Sequence, residues 1–248
     1  MTPGAVRASP HRGLDRRAAR AGALGLWSLV FAWLWFSGEM TRYLGPRTYW
    51  VAPFGALALG GAAAVTAAGA RRASDRTELS ARDGARFGVL LLPLMAMLAV
   101  PGAQLGSQAA ANKAPSGILA GAAATAPGAP GSGPIGFRDI YYAGQSESYA
   151  LERGMGDGMG VELTGFITHP PDIPEGFFAL TRFYVSCCAA DAIPYSVTVR
   201  PPGPLVPSAY PDDQWLEIRG TLGQLDAGFM LLPHSIKPVK APDDPYLY

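Results

Sequence analysis

The sequence predicts an α-helical membrane half joined by a tether to a small all-β domain. Three observations predict it. Charge is divided: residues 1–136 carry 13 Lys+Arg and 5 Asp+Glu, whereas residues 137–248 carry 7 and 14. The long uncharged apolar runs lie only in the first half, and short alternating stretches fill the second. Only 16% of the 248 residues are charged, against about 25% in ordinary soluble domains. A single uniform soluble domain is therefore excluded, and so is a disordered chain, because apolar and aromatic residues are plentiful.

Residues 1–20 read as a basic tail holding Arg7, Arg12, Arg16, Arg17 and Arg20. Residues 21–106 read as the membrane region. Ala21–Gly38 is 18 residues without a charge, which a helix stretches over roughly 27 Å, near the thickness of the hydrocarbon core. A signal peptide is the rival, but it has a shorter apolar core and a small-residue cleavage site, whereas Glu39, Met40, Thr41 and Arg42 follow here. Trp27, Trp33 and Trp35 can turn their ring N–H groups to an interface or a neighbouring helix. Thr48–Ala70 is a second uncharged run, of 23 residues. In it Ala56, Gly60, Ala64 and Ala68 line one helix face, where small side chains admit a close neighbour. The third predicted span covers residues 87–105. Pro93 and Pro101 interrupt it, and a re-entrant or interfacial segment is the alternative.

Charge bias orients these spans. The tail and the loop with Arg71, Arg72, Arg76, Arg82 and Arg86 are the strongly positive segments, and such segments stay cytoplasmic. Glu39–Arg47 is then external, and three crossings export the rest of the chain. Residues 107–136, rich in Ala, Gly, Pro and Ser, read as a tether.

The exported domain is residues 137–248. Val161–Thr168, Phe177–Ser186, Tyr195–Arg200, Trp215–Leu222 and Phe229–Val239 alternate apolar and polar residues or are β-branched and aromatic. Pro233 and Pro238 break the last. Five short strands with glycines inside two predict an OB-like five-stranded barrel, with a small sandwich as the alternative. Gly154–Gly160 reads as a flexible approach to the first strand. It lacks the strand-before, helix-after context of a phosphate loop. The acidic balance opposes nucleic-acid binding.

The only cysteines are the adjacent Cys187 and Cys188. Three readings compete: small residues packed at a strand end, a labile vicinal disulfide, or a soft-metal or redox site. In the last, Asp191 adds a third donor, and thiolates select Zn or Cu(I) over Mg or Ca. His169 and His234 are weaker additions with no ligand-type spacing, and His11 belongs to the basic tail. Arg182, in the same predicted strand, either lowers a thiol pKa or pairs with a carboxylate. No Ser-His-Asp order, catalytic carboxylate pair or His-x-Glu motif is present, so a non-enzymatic role is expected. Asp212–Asp213 and Asp243–Asp244 read as solvated turns.

The run Leu180-Thr181-Arg182-Phe183-Tyr184-Val185-Ser186-Cys187-Cys188-Ala189-Ala190-Asp191-Ala192, with Trp215–Leu222 and the terminal Pro245-Tyr246-Leu247-Tyr248, resembles the YcgQ-like bacterial family. That family is the small subunit of a predicted two-component membrane permease, with a C-terminal Arg-Phe-x-x-x-Cys-Cys-x-Ala-Asp signature. The resemblance implies a larger polytopic permease as partner and a link to transition-metal supply. It carries over Arg182, Cys187, Cys188 and Asp191 as signature positions. The expected function is an accessory subunit whose β domain binds a transition metal through the vicinal cysteines. The rivals are a membrane-tethered thiol redox protein and an interaction module with packed cysteines.

Overall fold

A computed structural model describes residues 15–72, 80–99, 105–113, 133–203, 209–225 and 228–248. Most of the basic tail with His11, Arg76, the end of the third predicted span and the middle of the predicted tether lie outside the described residues. The chain divides into two compact units. The first contains three helices, α1 (Arg16–Ser37), α2 (Val51–Arg72) and α3 (Ala81–Ala99). The second contains Thr41–Thr48, from between α1 and α2, together with the chain from α4 (Ser107–Lys113) to the C-terminus.

Two helical runs, Arg16–Ser37 and Pro46–Arg72, are long and apolar enough to cross a membrane. Phe36, Leu57 and Val65 stay exposed on them, which hydrocarbon tolerates better than water does. Small residues let α1 and α2 pack closely. Ser28 donates its hydroxyl to the Ala56 carbonyl at 2.7 Å, and Gly60 faces the same serine. Trp27 turns its indole N–H to the Leu90 carbonyl of α3 at 3.2 Å. α3 contains Pro93 and begins at Ala81, six residues before the predicted span. Arg16 and Asp83 pair at 3.1 Å.

In the second unit the five strands are β1 (Gly160–Thr168), β2 (Phe178–Tyr184), β3 (Ile193–Val199), β4 (Trp215–Leu225) and β5 (Gly228–Pro238). They close a barrel in the order β1-β2-β3-β5-β4. All pairs are antiparallel except β3 with β5, which run parallel through Thr198↔Met230 and Val199↔Leu231. The period-2 pattern sends Leu163, Ile167, Phe178, Leu180, Val197, Val199, Leu216, Ile218, Leu222 and Leu231 to the interior. Each large side chain so buried contributes roughly 1.5–3 kcal/mol.

Two helices to which the sequence reading assigned no element precede the Gly154–Gly160 approach: α5 (Phe137–Gln145) and α6 (Glu147–Glu152). Phe137, Ile140 and Ala143, spaced three apart on α5, join the barrel core. The outward residues Phe166 and Phe183 form a second cluster with Val185, Ala192, Tyr246 and Ala110 of α4. Thus Ser107–Lys113, inside the predicted tether, is helical and packs on the domain.

The prolines in β5 do not break it. The β4–β5 register shifts between Arg219 and Gly220, pairing Gly220 with Pro233 and Arg219 with Ser235. His234 is the extra residue of this bulge, and Pro233 sits where the ladder is already disturbed. Gly220 is required there, because any Cβ would run into the Leu232 carbonyl.

Candidate functional site

The two cysteines follow β2 at one end of the barrel. Ala189–Asp191 forms a single 3-10 turn just after them. Asp191 organises this turn: its carboxylate accepts the backbone N–H of Cys187 at 2.8 Å, of Ser186 at 3.3 Å and of Cys188 at 3.4 Å. The sulfurs of Cys187 and Cys188 stand 3.7 Å apart, and neither is in a disulfide. Cys187 is exposed and Cys188 half-buried.

The electrostatics follow from Asp191. Its hydrogen bond with the Cys187 thiol favours the protonated sulfur. Cys188, partial desolvation and the carboxylate charge add to this, and the Cys187 thiol is pushed up to about 11. Burial works against ionised Asp191, but the Cys187 thiol and the three backbone N–H groups outweigh it and hold the carboxyl below its ordinary range.

A strap crosses this turn. It is Thr41–Thr48, the connection between α1 and α2. Leu44 and Cys188 form an antiparallel bridge. Gly45 donates its N–H to the Cys187 carbonyl at 2.9 Å, and Ala189 donates to the Tyr43 carbonyl at 2.8 Å. The Thr48 hydroxyl lies 2.6 Å from the same Cys187 carbonyl and 2.9 Å from the Gly45 carbonyl, and shares its hydrogen between them with the shorter contact to Cys187. A Cβ on Gly45 would meet the Ser186 carbonyl oxygen at 2.9 Å, so the close approach needs glycine. From α4, Lys113 donates to the Ala189 and Ala190 carbonyls at 3.3 and 2.8 Å.

Arg182 serves a different purpose from the one expected. Its guanidinium donates to the Pro245 carbonyl at 3.2 Å and the Asp244 carbonyl at 2.9 Å, and it lies 6.0 Å from the Trp215 ring centre. Burial lowers its pKa. It therefore clamps the C-terminal tail and does not activate a thiol; the Cys187 shift runs the other way. The clamped tail lies along β2, where Leu247 donates to the Phe183 carbonyl at 2.7 Å and Val185 to the Leu247 carbonyl at 3.0 Å. Tyr246 in turn donates its hydroxyl to the Arg42 carbonyl of the strap at 2.9 Å.

The structure brings Asp191 to the cysteines but not the histidines. Thr168, at the end of β1, pairs with Ala179 near the start of β2. His169 is thus separated from Cys187 by the length of β2, on the order of 20 Å. Its Nδ1 bonds Asp212 at 2.9 Å, beside a groove of about 700 Å³ that Ser107, Thr168 and Ser196 also line. His234 is exposed on β5, beyond the level where β5 meets the far end of β3. Among the described residues, no group of three or more His, Cys, Asp and Glu side chains is arranged to hold a metal ion. Sequence reasoning missed the strap, Lys113 and the tail; the quoted Pro245–Tyr248 run was the one signal available.

The fold and site define a class: a helical N-terminal half with two apolar membrane-length helices, and a closed five-strand barrel bearing an exposed vicinal dithiol. A family model described as the DUF1980 C-terminal domain matches residues 133–248. The match is consistent with the YcgQ-like resemblance over the same stretch. It leaves out the strap and α4, which complete the unit structurally. No curated protein matches the chain.

Proposed function

We propose that the protein is an accessory subunit of a membrane permease, and that its β domain takes up a soft transition-metal ion on Cys187 and Cys188. The observation that carries the metal part is the 3.7 Å separation of the sulfurs. Two thiolates about 2.3 Å from one tetrahedral Zn stand about 3.8 Å apart, so the pair needs little movement to chelate. Two protein donors leave two coordination positions for water or for a partner's ligands, which suits transfer more than permanent storage. The permease partner rests on the resemblance alone. A thiol redox role fits less well, because the usual Cys-x-x-Cys spacing is absent; the raised Cys187 pKa opposes thiolate formation in both readings, and a bound ion offsets it by displacing the proton. The order β1-β2-β3-β5-β4 with parallel β3 and β5 supports an OB-like barrel.

The strap also supports an external β domain. The connection between α1 and α2 lies one crossing from the N-terminus, and its residues belong to the β unit. Three crossings, α3 included, return the later chain to that face. The positive segments on either side of α1 and α2 make the tail side cytoplasmic.

The metal reading is tested on the full chain in detergent under reducing conditions. Titration with Zn and with Cu(I), followed by competition with a chromophoric chelator, is expected to give one ion per chain. Combined Cys187→Ser and Cys188→Ser is expected to abolish it. Absent binding, or binding indifferent to both substitutions, refutes the metal part. If the double variant also keeps partner association and transport, the cysteines merely pack.

A further inference from the structure

The geometry points to the strap as part of the thiol site: Gly45 and Thr48 are positioning residues that hold Cys187 and Cys188 as an open dithiol and oppose their closure into a vicinal disulfide. Adjacent Cα atoms across a trans peptide are 3.8 Å apart, below the 4.4–6.8 Å span usual for bridged cysteines. Bringing the sulfurs from 3.7 Å to a bond of about 2.05 Å therefore requires the intervening peptide to twist. That peptide is the one the strap holds. Its carbonyl, on Cys187, accepts from both Gly45 N–H and Thr48 Oγ1. Cys188 itself is extended, with φ −156° and ψ 166°, and its bridge to Leu44 fixes it there. Twisting the peptide swings the carbonyl away from both: the Gly45 N–H loses its acceptor, and the Thr48 hydroxyl gives up its shorter contact and keeps only the Gly45 carbonyl at 2.9 Å. The open pair, by contrast, already has the spacing a tetrahedral ion wants.

In full, closure by glutathione disulfide forms the Cys187–Cys188 S–S bond and breaks the glutathione S–S bond. The two protein thiols lose two protons and two electrons, and two glutathione thiols appear. The strap raises the free energy of the oxidised side of this exchange. Because the strap is also the connection between α1 and α2, the state of the thiol pair is set by the chain segment that joins the two apolar helices.

The test needs no metal, so its failure and that of the metal reading are separate. The full chain in detergent, with a strong chelator, is equilibrated in glutathione buffers at fixed pH, and the closed fraction is read by alkylation and mass spectrometry. Thr48→Val, which keeps the side-chain shape and deletes the donor, is expected to shift the thiol–disulfide constant about tenfold toward the disulfide, near 30 mV for two electrons. Thr48→Ser is expected to restore the native value, which a merely structural loss would not do. If Thr48→Val does not give a folded chain, Gly45→Ala read in the same way decides, again with a shift toward closure expected. An unchanged constant in a folded variant, or equal shifts in Thr48→Val and Thr48→Ser, overturns the proposal.

Discussion

Asp191 gathers three backbone N–H groups and a thiol onto one carboxylate, and its charge has opposite effects on the two partners. It stabilises the turn, and it suppresses the Cys187 thiolate. Asp191→Asn keeps an acceptor oxygen but removes the charge. The Cys187 pKa is expected to fall from about 11 toward the ordinary thiol range, and each unit of fall raises the thiolate fraction tenfold. Alkylation at about pH 8 should accelerate accordingly, by tenfold or more; an unchanged rate would show that Asp191 does not set this thiol. The linkage has a definite sign. The folded-state carboxyl titrates below its unfolded value, so its contribution is fully present above about pH 4 and is lost as pH falls through the lower folded value. Acid unfolding of the native chain should therefore be steeper in that window than acid unfolding of Asp191→Asn.

The C-terminal tail shows how one half-buried cation organises an element. Arg182 spans the Asp244 and Pro245 carbonyls, and from there Tyr246 and Leu247 reach the strap and β2. Arg182→Ala is expected to cost about 1.5–3 kcal/mol, the range for a hydrogen bond to a charged donor. Arg182→Lys should recover only part, since a point charge cannot replace a planar fork. Urea unfolding of the full chain checks both. The strands around this clamp were legible because alternation forces it: Leu163 and Ile167 face one side of β1 and Phe166 the other. The short helices were not legible. α5 buries Phe137, Ile140, Tyr142 and Ala143, a run of nine residues too short to stand out beside the glycines around it. α4 is built from small and polar residues in an Ala/Gly-rich stretch. The cysteines announced themselves by type, but the strap did not, because Thr48 meets Cys187 across 139 positions and no local pattern encodes such a pairing. Distance along the strands, antiparallel β1 and β2 for His169 and parallel β3 and β5 for His234, also separated the histidines from a site that composition alone allowed them to join.

At the scale of the whole molecule, membership of the strap in the β unit constrains topology more tightly than charge counting does. Any arrangement that keeps Thr41–Thr48 on the barrel requires that residue 47 and the cysteine pair face the same side of the membrane, whatever that side is. An even number of crossings between them satisfies this, and the proposed topology reaches it by letting α3 cross beside α2, whose run is long and apolar enough to span. The positive segments then choose which side. Native Cys187 and Cys188, the only cysteines in the chain, should be labelled by a membrane-impermeant maleimide on intact cells. In a chain with both cysteines replaced by serine, Arg47→Cys should label under the same conditions, while Ser80→Cys should label only after permeabilisation. Reversal of all three would invert the orientation and leave the fold argument standing. Arg47→Cys and the native pair on opposite faces would be incompatible with a strap that donates two hydrogen bonds to the Cys187 carbonyl. α3 could then no longer be held to cross, and the β domain would lose its support for an external location.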